Sequence, residues 1–322
     1  MDNNGRIKAI CVSDKRGIAK HGVDIAEMVR DFGINGDAHA DRWHRQVSIL
    51  TADVIEEFNR SGGNVKDGDF GENLIIDGIN QAALTVWSTV IIKAEEGDVI
   101  LRITQLGKEC HSHCEIYKRV GDCIMPRCGL FAEVIKGGRI RVGDKVEVHA
   151  PDPDRPYAAA VIVLSDRASA HEREDASGPC ATKILTDAGF DVIEQILIPD
   201  DKEKLKSELL RLCDKRSTDL VITSGGTGFS VRDITPDVTM EVAERNAPGI
   251  AEYIRQESLR ITSRAMLSRG VSVIRGTSII VNLPGSPKAV SECLGFILDA
   301  LTHGIAILRG DVKDCTSDPE HR

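Results

Sequence analysis

Along the second half of the chain, unbroken apolar runs alternate with amphipathic stretches. Ala159–Leu164 is an aliphatic run of the kind a fully buried strand presents. Pro179–Ala188 reads as a helix stopped at Gly189, and Phe190–Ile198 returns as a strand. Asp201–Lys215 sets Leu205, Leu209, Leu212 and Cys213 on one helical face. Asp219–Thr223 and Ser278–Leu283 read as further strands, and Pro287–Leu301 as a helix with proline in its first turn. Strand and helix alternating at this spacing predict a three-layer α/β domain with a mainly parallel sheet. Ligands of such sheets sit at the C-terminal ends of the strands.

The first half has a different rhythm. Val86–Ala94, Asp98–Thr104 and Lys145–His149 are short strand patterns rich in Val, Ile and Thr, separated by Gly-Asp turns. Thr51–Arg60 and Cys128–Lys136 read as helical. A mostly β, barrel-like domain fits this half. Between the halves, Ala150-Pro-Asp-Pro-Asp-Arg-Pro156 suits neither a helix interior nor a central strand. The expected organisation is a domain over 1–149, a linker over 150–157, a domain over 158–311 and a tail over 312–322.

Composition narrows the function. The chain has 322 residues with a formal net charge of −9, and only 4% of them are aromatic. The acidic balance argues against a non-specific nucleic-acid binder, and the few aromatics against a base-stacking one. The opening segment carries no apolar core of signal-peptide length, and no apolar run approaches a membrane span. The sequence therefore reads as cytoplasmic, with neither nucleic acid nor membrane as partner. Nine cysteines are an odd count, which disfavours a disulfide framework.

The sharpest chemistry follows strand ends of the second half. Thr223-Ser-Gly-Gly-Thr-Gly228 comes directly after an apolar strand, where consecutive glycines can turn N–H groups toward an anion. Ser224 and Thr227 add hydroxyls to Gly225, Gly226 and Gly228. Arg232-Asp-Ile-Thr-Pro-Asp237 follows at once. Asp233 and Asp237 put hard oxygen ligands for Mg²⁺ beside that loop. A helix start, with Thr235 as cap and Pro236 in the first turn, also accounts for Asp237 but leaves Asp233 unexplained. Asn282-Leu-Pro-Gly-Ser-Pro-Lys288 opens a helix with Pro284, Gly285 and Ser286 and adds the charge of Lys288. Ser165-Asp-Arg-Ala-Ser169, with Asp166, follows the first strand, and Asp200 ends Ile198-Pro-Asp200, where a helix cap is the plain alternative. Anion-binding loops beside carboxylates suit a polyphosphate with a metal ion. The Gly-Lys-Ser/Thr phosphate loop is absent.

These five motifs, in this order over about Ala158–Gly310, resemble those of the molybdopterin adenylyltransferases of the MogA and MoaB type. The resemblance implies an α/β domain, usually trimeric, that activates ATP with Mg²⁺. It transfers AMP to the terminal phosphate of molybdopterin and releases pyrophosphate. The family's two functional acidic residues fall on Asp200 and Asp233.

In the first half, Gly36-Asp-Ala-His39, Trp43-His-Arg45 and Gly71-Glu-Asn73 precede a cysteine-rich stretch containing Cys110, Cys114, Cys123 and Cys128. Interleaved histidines make a zinc site conceivable, and buried inert thiols are the alternative for Cys123 and Cys128. Lys108 and His111 beside Cys110 favour its thiolate. His39 and His44 read as scaffold or ligand-contacting residues, and Arg45 suits an oxyanion bidentately. This half resembles the MOSC domain over about Ile7–Val148. The resemblance implies a β-rich fold that binds molybdenum cofactor or handles sulfur for it, with Cys110 as molybdenum ligand or persulfide carrier. The joint expectation is a cofactor-biosynthesis enzyme, a homotrimer, with a molybdenum-inserting enzyme and molybdoenzymes as partners. A non-catalytic carrier of molybdopterin, with the cysteines as a metal site, is the competing reading.

Overall fold

Seven strands of the first half close on one another. In the computed structural model, which describes residues 4–108, 117 and 121–311, the chain divides into units 1–152 and 153–322. The first unit has strands β1 (Asn4–Val12), β2 (His21–Val23), β3 (Ile25–Val29), β4 (Gly33–Ile34), β5 (Val47–Thr51), β6 (Leu74–Asp77), β7 (Thr89–Lys93), β8 (Val99–Leu106), β9 (Leu130–Lys136), β10 (Gly138–Arg141) and β11 (Lys145–His149). The order β11-β7-β8-β9-β5-β6-β1 returns to β11 through the β1–β11 pairing, so the barrel has no open edge at that seam. Ile7, Ile49, Val90, Leu101, Ala132 and Val146 fill its interior.

One helix expectation is corrected here. Met125–Cys128 forms a single helical turn, but Leu130–Lys136 is the strand β9, antiparallel to both β8 and β5. Leu130-Phe-Ala-Glu-Val is too short to separate helix from strand by periodicity, and pairing on both sides settles it.

The barrel buries charge. The Lys20 ammonium lies 2.5 Å from Asp37 Oδ2, both side chains inaccessible. Burial alone would raise the Asp37 carboxyl. Hydrogen bonds from His39, Lys20 and Asn73 hold it well below the usual carboxylate range. Glu72 accepts the N–H groups of Gly68 and Phe70, yet burial pushes its carboxyl up to about 7 from 4.5. The folded unit therefore keeps a proton that the unfolded chain loses first. This contribution is complete below about pH 4.5 and is lost as pH rises through about 7. It is on the order of 3 kcal/mol. The urea midpoint of the barrel's unfolding should fall between pH 5 and 8, and Glu72→Gln should flatten that fall. An unchanged slope in the variant would assign the pH dependence to other groups.

The second unit has β12 (Ala158–Leu164), β13 (Asp191–Ile198), β14 (Leu220–Ser224), β15 (Arg245–Asn246), β16 (Ser272–Arg275) and β17 (Ser278–Leu283), in the order β13-β12-β14-β17-β16-β15. The strands β13, β12, β14 and β17 are parallel, whereas β16 runs against both its neighbours, β17 and β15. The sheet is thus mixed, which corrects the mainly parallel expectation. The cause is a hairpin: Gly276, at φ +55°, turns β16 back into β17 within two residues.

Alternation along β12 builds the three layers. Ala159, Val161 and Val163 face helices Ser177–Asp187, Pro248–Leu259 and Pro287–Arg309. Ala160, Ile162 and Leu164 face helices Lys202–Leu210 and Thr235–Val242. Helix Pro287–Arg309 is long and apolar enough to cross a membrane by length and composition. It instead buries Val290, Leu294, Ile297, Leu301 and Ile305 on the sheet at helical spacing. The proline-rich segment is fastened to this unit: Arg155 pairs with the buried Asp219 at 2.8 Å, and Arg309 donates to the Pro153 carbonyl at 2.9 Å.

Candidate active site

Parallel register brings four strand ends together. Leu164 pairs with Ile198, Val163 with Ser224, and Ser224 with Leu283. The residues that follow each strand therefore meet over one edge of the sheet, around a cleft of about 600 Å³. Ser165, Asp166, Asp200 and Asp233 line it, with the loops Gly225–Gly228 and Pro284–Ser286.

The glycine loop is dictated by contact. Gly225 and Gly226 have φ of +105° and +62°. A Cβ on Gly225 would lie 2.3 Å from the Leu164 carbonyl oxygen, and one on Gly226 would lie 2.4 Å from Thr235 Oγ1. Thr235 does not cap its helix, as the sequence suggested; its hydroxyl donates to the Gly225 carbonyl at 2.9 Å and pins the loop. Asn282 Nδ2 bridges Thr223 and Thr239 at 2.9 Å each and braces the strand ends beneath. Ser286 accepts from the Ala289 N–H and caps the 23-residue helix whose positive end faces the cleft.

Two carboxylates look onto the glycines. Asp200 Oδ1 is 3.1 Å from where a Gly226 Cβ would lie, and Asp233 Oδ2 is 2.9 Å from that of Gly228. Asp200 and Asp166 lock each other through reciprocal backbone bonds: Asp166 N–H donates to Asp200 Oδ2 at 3.2 Å, and Asp200 N–H to Asp166 Oδ1 at 3.0 Å. Burial raises the Asp200 carboxyl, with the Asp166 and Asp233 charges adding to it. Asp233 closes a turn by accepting the Ser230 N–H at 2.8 Å.

Three residues expected at the site do not line this cleft. Ser224 is buried and donates to the Pro284 carbonyl at 3.2 Å, which ties two loops together. Asp237 is paired with Arg269 at 2.9 Å, and Arg269 holds its carboxyl down. Lys288 is exposed, 3.8 Å from Glu292 one turn along its helix. The sequence reading missed Arg167, Arg173 and Asp175, which line the cleft. Asp175 Oδ1 accepts the N–H groups of Ser177 and Gly178 and so caps the helix that begins there. Asp-Ala-Ser-Gly before a helical pattern is a cap signature that could have located it.

Asp200 and Asp233 suit Mg²⁺, which takes one or two carboxylates and completes its shell with substrate phosphates and water. Among the described residues no group of three or more His, Cys, Asp or Glu stands ready to enclose a metal.

In the first unit, His39 Nδ1 lies 3.4 Å from Asp37 and His44 Nε2 lies 2.9 Å from Gln105. The Arg45 guanidinium stacks 4.4 Å from the Trp43 ring centroid. Each is engaged with the barrel's own side chains. Cys110 and Cys114 lie outside the described residues, while Cys123 is buried and Cys128 is half-buried.

An α/β domain with a glycine-loop cleft at its strand ends, in a chain that also carries a β barrel, is the class this geometry defines. Residues 160–303 match the family model of a probable molybdopterin binding domain, and residues 35–147 that of the MOSC domain. The chain is 37% identical over 153 residues to the molybdopterin adenylyltransferase of Helicobacter pylori strain J99, spanning 47% of this chain and 87% of that protein. It is 43% identical over 152 residues to the molybdopterin adenylyltransferase of Escherichia coli K12, spanning 45% of this chain and 77% of that one. The crystal structure of the molybdopterin biosynthesis enzyme MoaB of Thermus thermophilus is 38% identical, with 48% of this chain and 97% of that chain covered at a TM-score of 0.46. Through its second unit the chain belongs to the molybdopterin adenylyltransferase family, and it carries a MOSC domain in its first.

Proposed function

We propose that the second unit transfers AMP from ATP to the terminal phosphate of molybdopterin, in the biosynthesis of molybdenum cofactor. The observation that carries this is the convergence of four strand ends, two carboxylates and a glycine loop on one cleft, in a chain of this family. A molybdopterin phosphate oxygen attacks the α-phosphorus of ATP, and the bond from that phosphorus to the bridging oxygen breaks. Pyrophosphate leaves with the electron pair. The nucleophile is already anionic, so no side-chain base is needed, and catalysis is positioning and charge neutralisation. Backbone N–H groups of the glycine loop and the helix end at Ser286 hold phosphate oxygens. Asp200 and Asp233 would hold Mg²⁺, which when bound supplies positive charge to the polyphosphate.

The proposal extends to a MOSC domain that binds, delivers or sulfurates the maturing cofactor through Cys110. It also extends to a cytoplasmic homotrimer that passes its product to a molybdenum-inserting enzyme. Incubation with ATP, Mg²⁺ and molybdopterin should release pyrophosphate, and omission of molybdopterin should abolish the release. Tight molybdopterin binding without release would replace this reading with that of a carrier.

A further inference from the structure

We propose that Arg232, held on Asp166 in this structure, exchanges that carboxylate for the polyphosphate of a bound nucleoside triphosphate. The inference rests on the adenylyltransferase reading of the same cleft and adds a phosphate-binding residue to it.

Arg232 sits on a short loop between the glycine turn and Asp233. The loop is closed on itself: Ser230 N–H donates to Asp233 Oδ2 at 2.8 Å, Asp233 N–H to the Ser230 carbonyl at 2.9 Å, and Arg232 N–H to Ser230 Oγ at 3.2 Å. Its base is clamped by Arg269, which donates to the Gly228 and Asp233 carbonyls. The backbone is thus fixed without the Arg232 side chain. That side chain reaches across to the segment after β12, where Nε and Nη2 both donate to Asp166 Oδ2, at 3.0 and 2.5 Å. Asp166 lines the cleft and so does Asp233, the next residue after Arg232. Arg232 does not itself line the cleft in this state; its guanidinium rests at the rim, on Asp166, one residue from Asp233.

The electrostatics of the cleft call for such a cation. Asp166, Asp175, Asp200 and Asp233 all line it, and an incoming polyphosphate meets their charge. Arg232 carries the opposite charge, and Asp166 and Asp200 both favour its charged form. The pair is open to solvent on both sides, with side-chain exposures of 63% and 43%. Exposed pairs of this kind contribute little stability, so the contact is a poor brace and is cheap to exchange. A guanidinium fork matches phosphate as well as it matches carboxylate, so the exchange keeps its hydrogen bonding. Arg167 and Arg173 also line the cleft, and neither is in an ion pair among the described residues. They offer standing charge. Arg232 differs in being tied to a carboxylate that must release it, and this makes the proposal testable by sign.

The test is calorimetric titration of the full chain with Mg²⁺ and a non-hydrolysable ATP analogue, for wild type, Arg232→Ala, Asp166→Asn and the double variant. Arg232→Ala should weaken binding by about 10-fold or more, the loss of one charge-assisted contact. Asp166→Asn should tighten it by about 2- to 5-fold, because Arg232 no longer has to be withdrawn from an exposed partner. In the Arg232→Ala background the Asp166→Asn gain should vanish. A gain of equal size in both backgrounds would mean that Asp166 acts only by repulsion, and would overturn the exchange. Weakening by both single variants would make the pair a structural brace, and would overturn it too. Wild type failing to bind the analogue with Mg²⁺, whether or not molybdopterin is present, would instead overturn the nucleotide reading of the cleft, and this inference with it.

Discussion

Asp233→Asn is expected to lower molybdopterin-dependent pyrophosphate release by about 10²- to 10³-fold, the usual cost of removing one electrostatic contact to a developing charge. The substitution is nearly isosteric. Its amide oxygen can still accept the Ser230 N–H that closes the turn, now at 2.8 Å on Asp233 Oδ2. What disappears is the negative charge beside Gly228, and with it one of the two carboxylates available to Mg²⁺. The loss should fall mainly on kcat, since charge develops on the phosphates in the transition state. The melting temperature should stay near that of wild type, which separates this outcome from unfolding. A rate within about threefold of wild type would reduce Asp233 to a turn-closing residue and leave Asp200 as the metal-holding carboxylate.

Gly225→Ala should be the most damaging small substitution in the second unit. The residue has φ of +105°, which an alanine adopts only under strain. Its Cβ would lie 2.3 Å from the Leu164 carbonyl oxygen. That oxygen has little room to retreat, because Leu164 is paired with Ile198 of β13 and the next N–H, of Ser165, donates to the Ile198 carbonyl. The loop cannot retreat either, because the Thr235 hydroxyl holds the Gly225 carbonyl and Gly285 packs on its other side. Strain and overpacking together should cost about 3 kcal/mol or more. Across a domain of this size that is a fall in melting temperature of roughly 10 °C. Gly249→Ala is the matched control. That glycine lies in helix Pro248–Leu259 with nothing within 4 Å of the added carbon, so alanine should be neutral or slightly stabilising. A loss below about 1 kcal/mol at Gly225 would show that the loop has another conformation open to it.

Much of this site was legible before any coordinates. The aliphatic run Ala159–Leu164 could be little other than a buried strand, and it is one, as β12. The glycine turn after Leu220–Thr223 announced a close backbone approach, and Gly225 and Gly226 make one. Other elements were hidden for physical reasons. Ser272–Arg275 is only a four-residue strand, so it gives no periodicity, and it becomes a strand through its hairpin with Ser278–Leu283. Leu130–Lys136 is apolar enough for either state, and pairing with β5 and β8 selects strand. Asp237 and Lys288 share motifs with residues that line the cleft, but each is engaged with a neighbour, Arg269 and Glu292, away from it.

Local chemistry was therefore carried by the chain: where backbone must bend past what a side chain allows, which loops can present N–H groups, and which carboxylates stand beside them. Those properties depend on a residue and its near neighbours, and a linear string preserves them. Convergence belongs to the tertiary structure alone. Ser165, Asp200, Gly225 and Pro284 meet because parallel register aligns four strands that lie far apart in the chain. The same holds for the partner of each charge. Arg232 lies on Asp166 and Lys20 on Asp37 through space, and neither pairing follows from spacing along the sequence. Electrostatic interaction depends on distance and burial, and both are set only when the sheet and the barrel close.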